Sequence, residues 1–249
     1  MYNPYTLEGK TILVTGASTG IGRQVAIDCS EFGAKVILSD LDEGALNVVA
    51  SELDGDGHIC IPCDFSSEES IVNLADKCPQ LDGYSNNAGI SKSVMMKNIR
   101  QKDLSSYVGV NAFAPAMLLK LLVKNKKFKE KASVVFTTSV AGVYTVHYGD
   151  SLNAMSMGAI NAFAKAAALD LAAQGIRVNC VNPGVVATEN TFKGSVLTDE
   201  EIREKQNAFP LKRFGRPDDV SAPVIYLLSD ASSWITGVNL PIDGGYTTF

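Results

Sequence analysis

Short β-branched runs alternate along the chain with longer stretches of helical spacing, the pattern of strand–helix–strand units whose strands are buried on both faces. Strands are expected at 11–15 (TILVT), 35–39 (KVILS), 58–61, 81–85, 133–138, 177–181 and 237–241. Helices are expected at 20–32, 43–53, 68–77, 104–124, 152–173 and 218–228, with 184–207 the longest poorly periodic piece. Such an alternation predicts a parallel sheet covered on both sides, a three-layer α/β/α architecture. No repeat, low-complexity block or linker interrupts it, so residues 1–249 are expected to form a single domain.

Composition narrows the function classes. The formal charge of −5 lacks the basic footprint that a phosphate backbone requires, so no nucleic-acid partner is expected. The one basic cluster, 124–131 (KNKKFKEK), reads as a solvated helix end. No unbroken apolar run approaches eighteen residues and the N-terminus has no signal-like pattern, so no membrane partner or secretory route is expected. Five cysteines, an odd number, suit a reducing compartment, here the cytoplasm. Cys60 and Cys63 form a lone C-x-x-C with only two histidines in the chain, too few ligands for zinc, and no metal site is expected.

Chemistry enters with Thr15-Gly-Ala-Ser-Thr-Gly-Ile-Gly22, between the first strand and first helix. Gly16, Gly20 and Gly22 permit a tight turn and close backbone approach to a pyrophosphate, with Ser18, Thr19 and Ile21 completing the loop. Asp40 follows the second strand, where a carboxylate accepts hydrogen bonds from an adenosine ribose and repels a 2′-phosphate. No Arg or Lys stands at Ser18, Thr19 or Leu41, which favours NAD(H) over NADP(H). The plainer reading of Asp40 is an N-cap for the next helix, a role Asp42 can also fill.

These residues resemble the short-chain dehydrogenase/reductase family nearly end to end, in particular its 3-oxoacyl-carrier-protein-reductase-like branch. Thr15 to Gly22 matches the family's TGxxxGIG loop, Asp64 with Phe65 its adenine-contacting segment, and Asn86-Asn87-Ala88-Gly89 its NNAG segment. Asn111 and Ser139 fall where the family carries a catalytic asparagine and a substrate-orienting serine, while Asn182-Pro183-Gly184 and Thr188 match the segment that embraces the nicotinamide. RFGRPDDV at 213–220 and Asp243-Gly244-Gly245 match its C-terminal region. The resemblance implies a Rossmann-type doubly wound parallel sheet, a nicotinamide cofactor, a carbonyl or secondary-alcohol substrate of unknown identity, and a homodimer or homotetramer built on the helices near 104–124 and 152–173.

It also implies a YxxxK pair, and there the chain departs: counting back from GIRVN (175–179) puts the pair at 153 and 157, occupied by Asn153 and Met157. An amide cannot act as the proton donor, and a thioether neither tunes a neighbour's pKa nor donates to ribose hydroxyls. Tyr144, His147 and Tyr148 are the substitutes within reach if their loop folds inward; otherwise Tyr148 is a loop aromatic packed at a subunit or domain surface. Lys165 lies too far along the helix, and Met155 and Met157 read as gap-fillers. Asn111 and Ser139 equally serve as hydrogen-bond partners without chemistry. Three readings stand: an NAD(H)-dependent oxidoreductase with impaired or altered catalysis and weakened cofactor binding; an inactive relative serving as nucleotide-binding scaffold or partner subunit; or a variant of an active parent. The loop 185–207, with Phe192, Lys193 and the acidic stretch 199–201, is expected to shape the pocket.

Overall fold

The computed structural model describes residues 3–189, 191 and 198–248. Phe192 and Lys193 lie outside them. The chain runs β1 (Thr11–Thr15), α1 (Gly20–Glu31), β2 (Lys35–Ser39), α2 (Glu43–Ala50), β3 (Ile59–Cys60), α3 (Glu68–Lys77), β4 (Leu81–Asn86), α4 (Gln101–Val108), α5 (Ala114–Lys124), β5 (Phe128–Thr137), α6 (Ser151–Leu171), β6 (Arg177–Pro183), α7 (Asp199–Asn207), α8 (Pro217–Leu228) and β7 (Asn239–Ile242). The sheet is parallel, in the order β3-β2-β1-β4-β5-β6-β7.

Period-two alternation divides the core into two layers. Leu13, Ile37, Tyr84, Phe136 and Val178 face α3, α5 and α6. Their neighbours Ile12, Val36, Val135 and Val181 face α1, α2 and α8. Both faces being covered is why TILVT and KVILS are continuous apolar runs. The chain first builds outward from β1 to β3, then crosses to β4 on the other side of β1. The ends of β1 and β4, paired at Thr15 and Asn86, therefore diverge into helices on opposite faces and open a crevice.

Three expectations need correction. The helix expected at 104–124 is not uniform: α4 passes through a π-helical turn, Gly109–Phe113, into α5. Pro115 in the first turn of α5 has no N–H to continue the α-helical ladder back to residue 111, which accounts for the break. Only the first residues of the basic cluster form a helix end. Lys124 closes α5, Lys126 takes a positive φ of 53°, and β5 begins at Phe128. Lys127 there donates to the carbonyls of Asp76 and Cys78, and Lys129 pairs with Asp82, so the cations tie β5 to α3 and β4. Finally, 184–207 contains α7, started by a Thr198–Glu201 capping box. Its polar sequence, DEEIREKQN, hides the helical period.

By length and mean hydropathy, 1.5, the continuous helical stretch Gln101–Lys124 passes the composition test for a membrane-crossing helix that no unbroken apolar run passes, yet half of it is buried inside the fold. Cys63 is buried in the core, where desolvation pushes its thiol up to about 11. No group of three or more His, Cys, Asp or Glu with metal-holding geometry occurs among the described residues.

Candidate active site

Close backbone packing fixes the glycines of the loop. Gly16 has φ 65°, and a Cβ there would lie 2.6 Å from the Ala88 nitrogen. A Cβ on Gly22 would lie 2.0 Å from the Gly16 carbonyl oxygen. Gly22→Ala must therefore push backbone against backbone; we expect a cost of about 1–3 kcal/mol, read as a melting-temperature drop of roughly 2–12 °C. A melting temperature equal to wild type would refute this packing. Thr19 precedes α1 without a side-chain cap, so the amides of Gly20, Ile21 and Gly22 form a helix start suited to an anion.

Asp40 is not the cap of α2: Asp42 accepts the Ala45 N–H at 3.0 Å. Asp40 instead takes the Ser18 N–H and hydroxyl on Oδ2, at 3.1 and 2.5 Å, and the Leu41 N–H on Oδ1. A carboxylate offers about four acceptor positions, so one remains on Oδ1 beside the loop. Asp64 is exposed, and hydrogen bonds from the Ser66 hydroxyl and amide hold its carboxyl below the usual range. Phe65 turns into the core.

On the other side of the crevice, Asn87 accepts from Thr137 and donates to Ser85, fixing the turn that carries Ala88 and Gly89. A Cβ on Gly89 would meet Asn111 Oδ1 at 3.3 Å. Asn111 is buried and fully engaged: Oδ1 accepts the Ile90 N–H, and Nδ2 donates to the Ile90 carbonyl and to Ser156 on α6. It thereby ties the π-helical turn to the Gly89 segment and to α6. Pro183 ends β6, its carbonyl accepting the Val140 N–H. Gly184 packs against Asp243, and Thr188 reaches back to the Gly loop, its Cγ2 3.2 Å from where a Cβ on Gly20 would sit.

Ser139 Oγ accepts the Ala141 N–H, which leaves its own hydrogen free to donate. Its backbone is positioned by a buried amide network that sequence reasoning missed. Asn182 Nδ2 shares its two hydrogens among the Ser139 carbonyl, Thr138 Oγ1 and Asn161 Oδ1, while Asn161 Nδ2 donates to the Met157 carbonyl. Asn182 was legible only as part of the NPG segment; Asn161 has polar character on an apolar helix face as its single signal.

Asn153 and Met157 lie one turn apart at the start of α6, both half-buried. The Asn153 side chain makes no hydrogen bond among the described residues, though its carbonyl accepts from Ser156. Met157 packs on the core layer of α3, α5 and α6. The proposed substitutes are placed elsewhere. Tyr148 is 94% exposed, the Tyr144 hydroxyl donates to the Asn239 carbonyl, and His147 packs at a tilt against Tyr246 with ring centres 5.4 Å apart.

Two concavities adjoin these elements. A groove of about 790 Å³, bounded by Phe65, Ile71, Phe113, Met117 and Lys120, lies along α4 and α5 and includes no Gly-loop residue. A smaller one of about 370 Å³, lined by Val185, Arg213, Asp219 and Asp243, sits beneath the segment after β6.

Comparison with known proteins agrees with this geometry. A family model described as Enoyl-(Acyl carrier protein) reductase matches residues 16–247. A 3-oxoacyl-[acyl-carrier-protein] reductase of Thermotoga maritima is 31% identical over 245 residues, covering 96% of this chain and 98% of its own. An L-xylulose reductase of Caenorhabditis elegans is 32% identical over 248 residues, covering 98% of each. Among solved structures, a candidate NAD(P)-dependent gluconate 5-dehydrogenase from Beutenbergia cavernae, with NADP bound at low occupancy, superimposes with a TM-score of 0.88 at 26% identity, over 99% of this chain and 100% of that one. With a Rossmann-type sheet, a glycine-lined crevice at its switch point and relatives matched over their whole lengths, the chain belongs to the short-chain dehydrogenase/reductase family of oxidoreductases, on its 3-oxoacyl-carrier-protein-reductase-like branch.

Proposed function

We propose that this protein is an NAD(H)-binding oxidoreductase for a carbonyl or secondary-alcohol substrate whose catalysis is impaired at the proton-transfer step. The observation that carries the reading is the start of α6, where Asn153 and Met157 replace a phenol and an ammonium while the nearby phenols of Tyr144 and Tyr148 are directed elsewhere. NAD(H), when bound, supplies or accepts the hydride. The Gly loop and the α1 start hold the pyrophosphate, and Asp40 holds the adenosine ribose. The Ser139 hydroxyl donates to the substrate carbonyl oxygen and polarises it. The Asn153 amide offers a second donor but keeps its proton, so the developing alkoxide takes its proton from water.

Cofactor choice is tested at Asp40. Wild type is expected to bind NADH more tightly than NADPH in calorimetric titrations. Asp40→Ala should weaken NADH binding about 10- to 100-fold, the worth of a hydrogen bond to a charged group, without weakening NADPH. Tighter NADPH binding by wild type would overturn the assignment.

The solvent-facing Tyr148 also favours a second reading, an inactive scaffold or partner subunit. Turnover of NADH by the pure protein with a defined ketone, acetoacetyl thioester or sugar would decide against it. We place the whole chain, 1–249, in one functional unit that works in the cytoplasm, as its free cysteines support, without nucleic acid or membrane as partner. Self-association is proposed through α4, α5 and α6, where Phe113 is 70% and Leu169 80% exposed.

A further inference from the structure

We propose that this cleft lacks a bias toward the reduced cofactor: with Met157 in place of a cation, it binds NAD⁺ nearly as well as NADH or better. The inference rests on the nucleotide-binding reading above.

The two redox states carry the same phosphates and riboses, so whatever the Gly loop and Asp40 contribute is common to both. They differ by one unit of charge on the nicotinamide ring, positive in NAD⁺ and neutral in NADH. The ratio of the two affinities therefore reports the fixed charge around the ring. Among the described residues, those at the positions that match the family's catalytic set carry no charge: the Asn111 and Asn153 amides, the Ser139 hydroxyl and the Met157 thioether. The next lysine on α6, Lys165, is eight residues beyond Met157, about 12 Å along the axis, and exposed. Lys92, in the segment after Gly89, is exposed to solvent screening as well.

The charge set against the segment after β6 is negative. A Cβ on Gly184 would come 3.1 Å from the Asp243 Cβ. Burial raises the Asp243 carboxyl, but hydrogen bonds from Thr247 and Gly245 outweigh it and keep the group ionised. Arg213, in the same concavity, is paired to Asp219 through two hydrogen bonds, and Asp243 has no ion pair among the described residues.

Taking about 7 Å as an order-of-magnitude separation, a unit charge would be worth roughly 3-fold in a water-like medium and about 50-fold at an effective dielectric of 20. A lysine at 157 thus penalises NAD⁺ selectively, and its loss removes that penalty.

The test titrates NAD⁺ and NADH separately into wild type, Met157→Lys and Met157→Gln, each checked for folding by thermal melt. The Kd ratio, NAD⁺ over NADH, is expected to be no more than about threefold in wild type and to rise about tenfold in Met157→Lys. Met157→Gln restores donors without charge, so both nucleotides should tighten and the ratio stay within about twofold. A wild-type preference for NADH of more than about threefold overturns the proposal, even if neither variant folds. So does a ratio that changes equally in the Lys and Gln variants, or in neither. If wild type and both folded variants bind neither nucleotide, the nucleotide-binding reading itself fails and this inference falls with it.

Discussion

Asn153→Tyr combined with Met157→Lys is expected to raise carbonyl reduction by about 10²- to 10⁴-fold over wild type, the usual worth of a positioned general acid. The surroundings justify a gain of that size. Ser139 keeps a hydrogen to donate, the Asn161–Asn182 network holds its carbonyl, and positions 153 and 157 share one face of α6, a turn apart. The new lysine would lower the new phenol's pKa across that turn. Each single variant should recover far less than the pair, because acid and cation act as a unit. The measurement is NADH oxidation at 340 nm with a panel of ketones, acetoacetyl thioesters and ketoses. A folded, NADH-binding double variant that stays inert across the panel would show that the defect is not confined to these two side chains.

The second large effect is on stability. Phe136→Ala should cost about 3–5 kcal/mol, a melting-temperature loss of roughly 6–20 °C. Phe136 is fully buried on β5, edge-on to Tyr84 with ring centres 6.0 Å apart and to Phe163 of α6 at 6.3 Å. Removing it opens a cavity between the strand that leads to Ser139 and the helix that carries Met157. A loss below about 1 kcal/mol in chemical denaturation would mean that this layer repacks freely.

The fold was legible in the sequence because burial on both faces leaves a plain signal: five-residue apolar runs for strands and amphipathic stretches between them. What stayed hidden had a local cause in each case. The π-helical turn depends on a missing N–H at Pro115, which breaks a hydrogen bond without breaking the apolar pattern. In 124–131 the composition suggested a helix end, but Lys127 is recruited by carbonyls from α3, a contact no local rule contains. α7 had a capping signature without an apolar face. The glycine loop and Asp40 were readable because their chemistry lies in backbone freedom and charge at fixed spacing. The choice between Asp40 and Asp42 as cap waited on geometry, and so did the placement of Tyr148, since an exposed tyrosine and one folded into a cleft look alike in a string of letters.

The buried amide network has a consequence for the history of such a site. Asn182 and Asn161 grip Ser139 and α6 through carbonyl oxygens, which every residue possesses, so the network is indifferent to which side chains stand at 153 and 157. Asparagine and tyrosine codons differ at a single base, as do the methionine codon and one lysine codon. Two point changes therefore separate this cleft from one with the complete pair, and neither has to wait for a compensating change in the backbone beneath it.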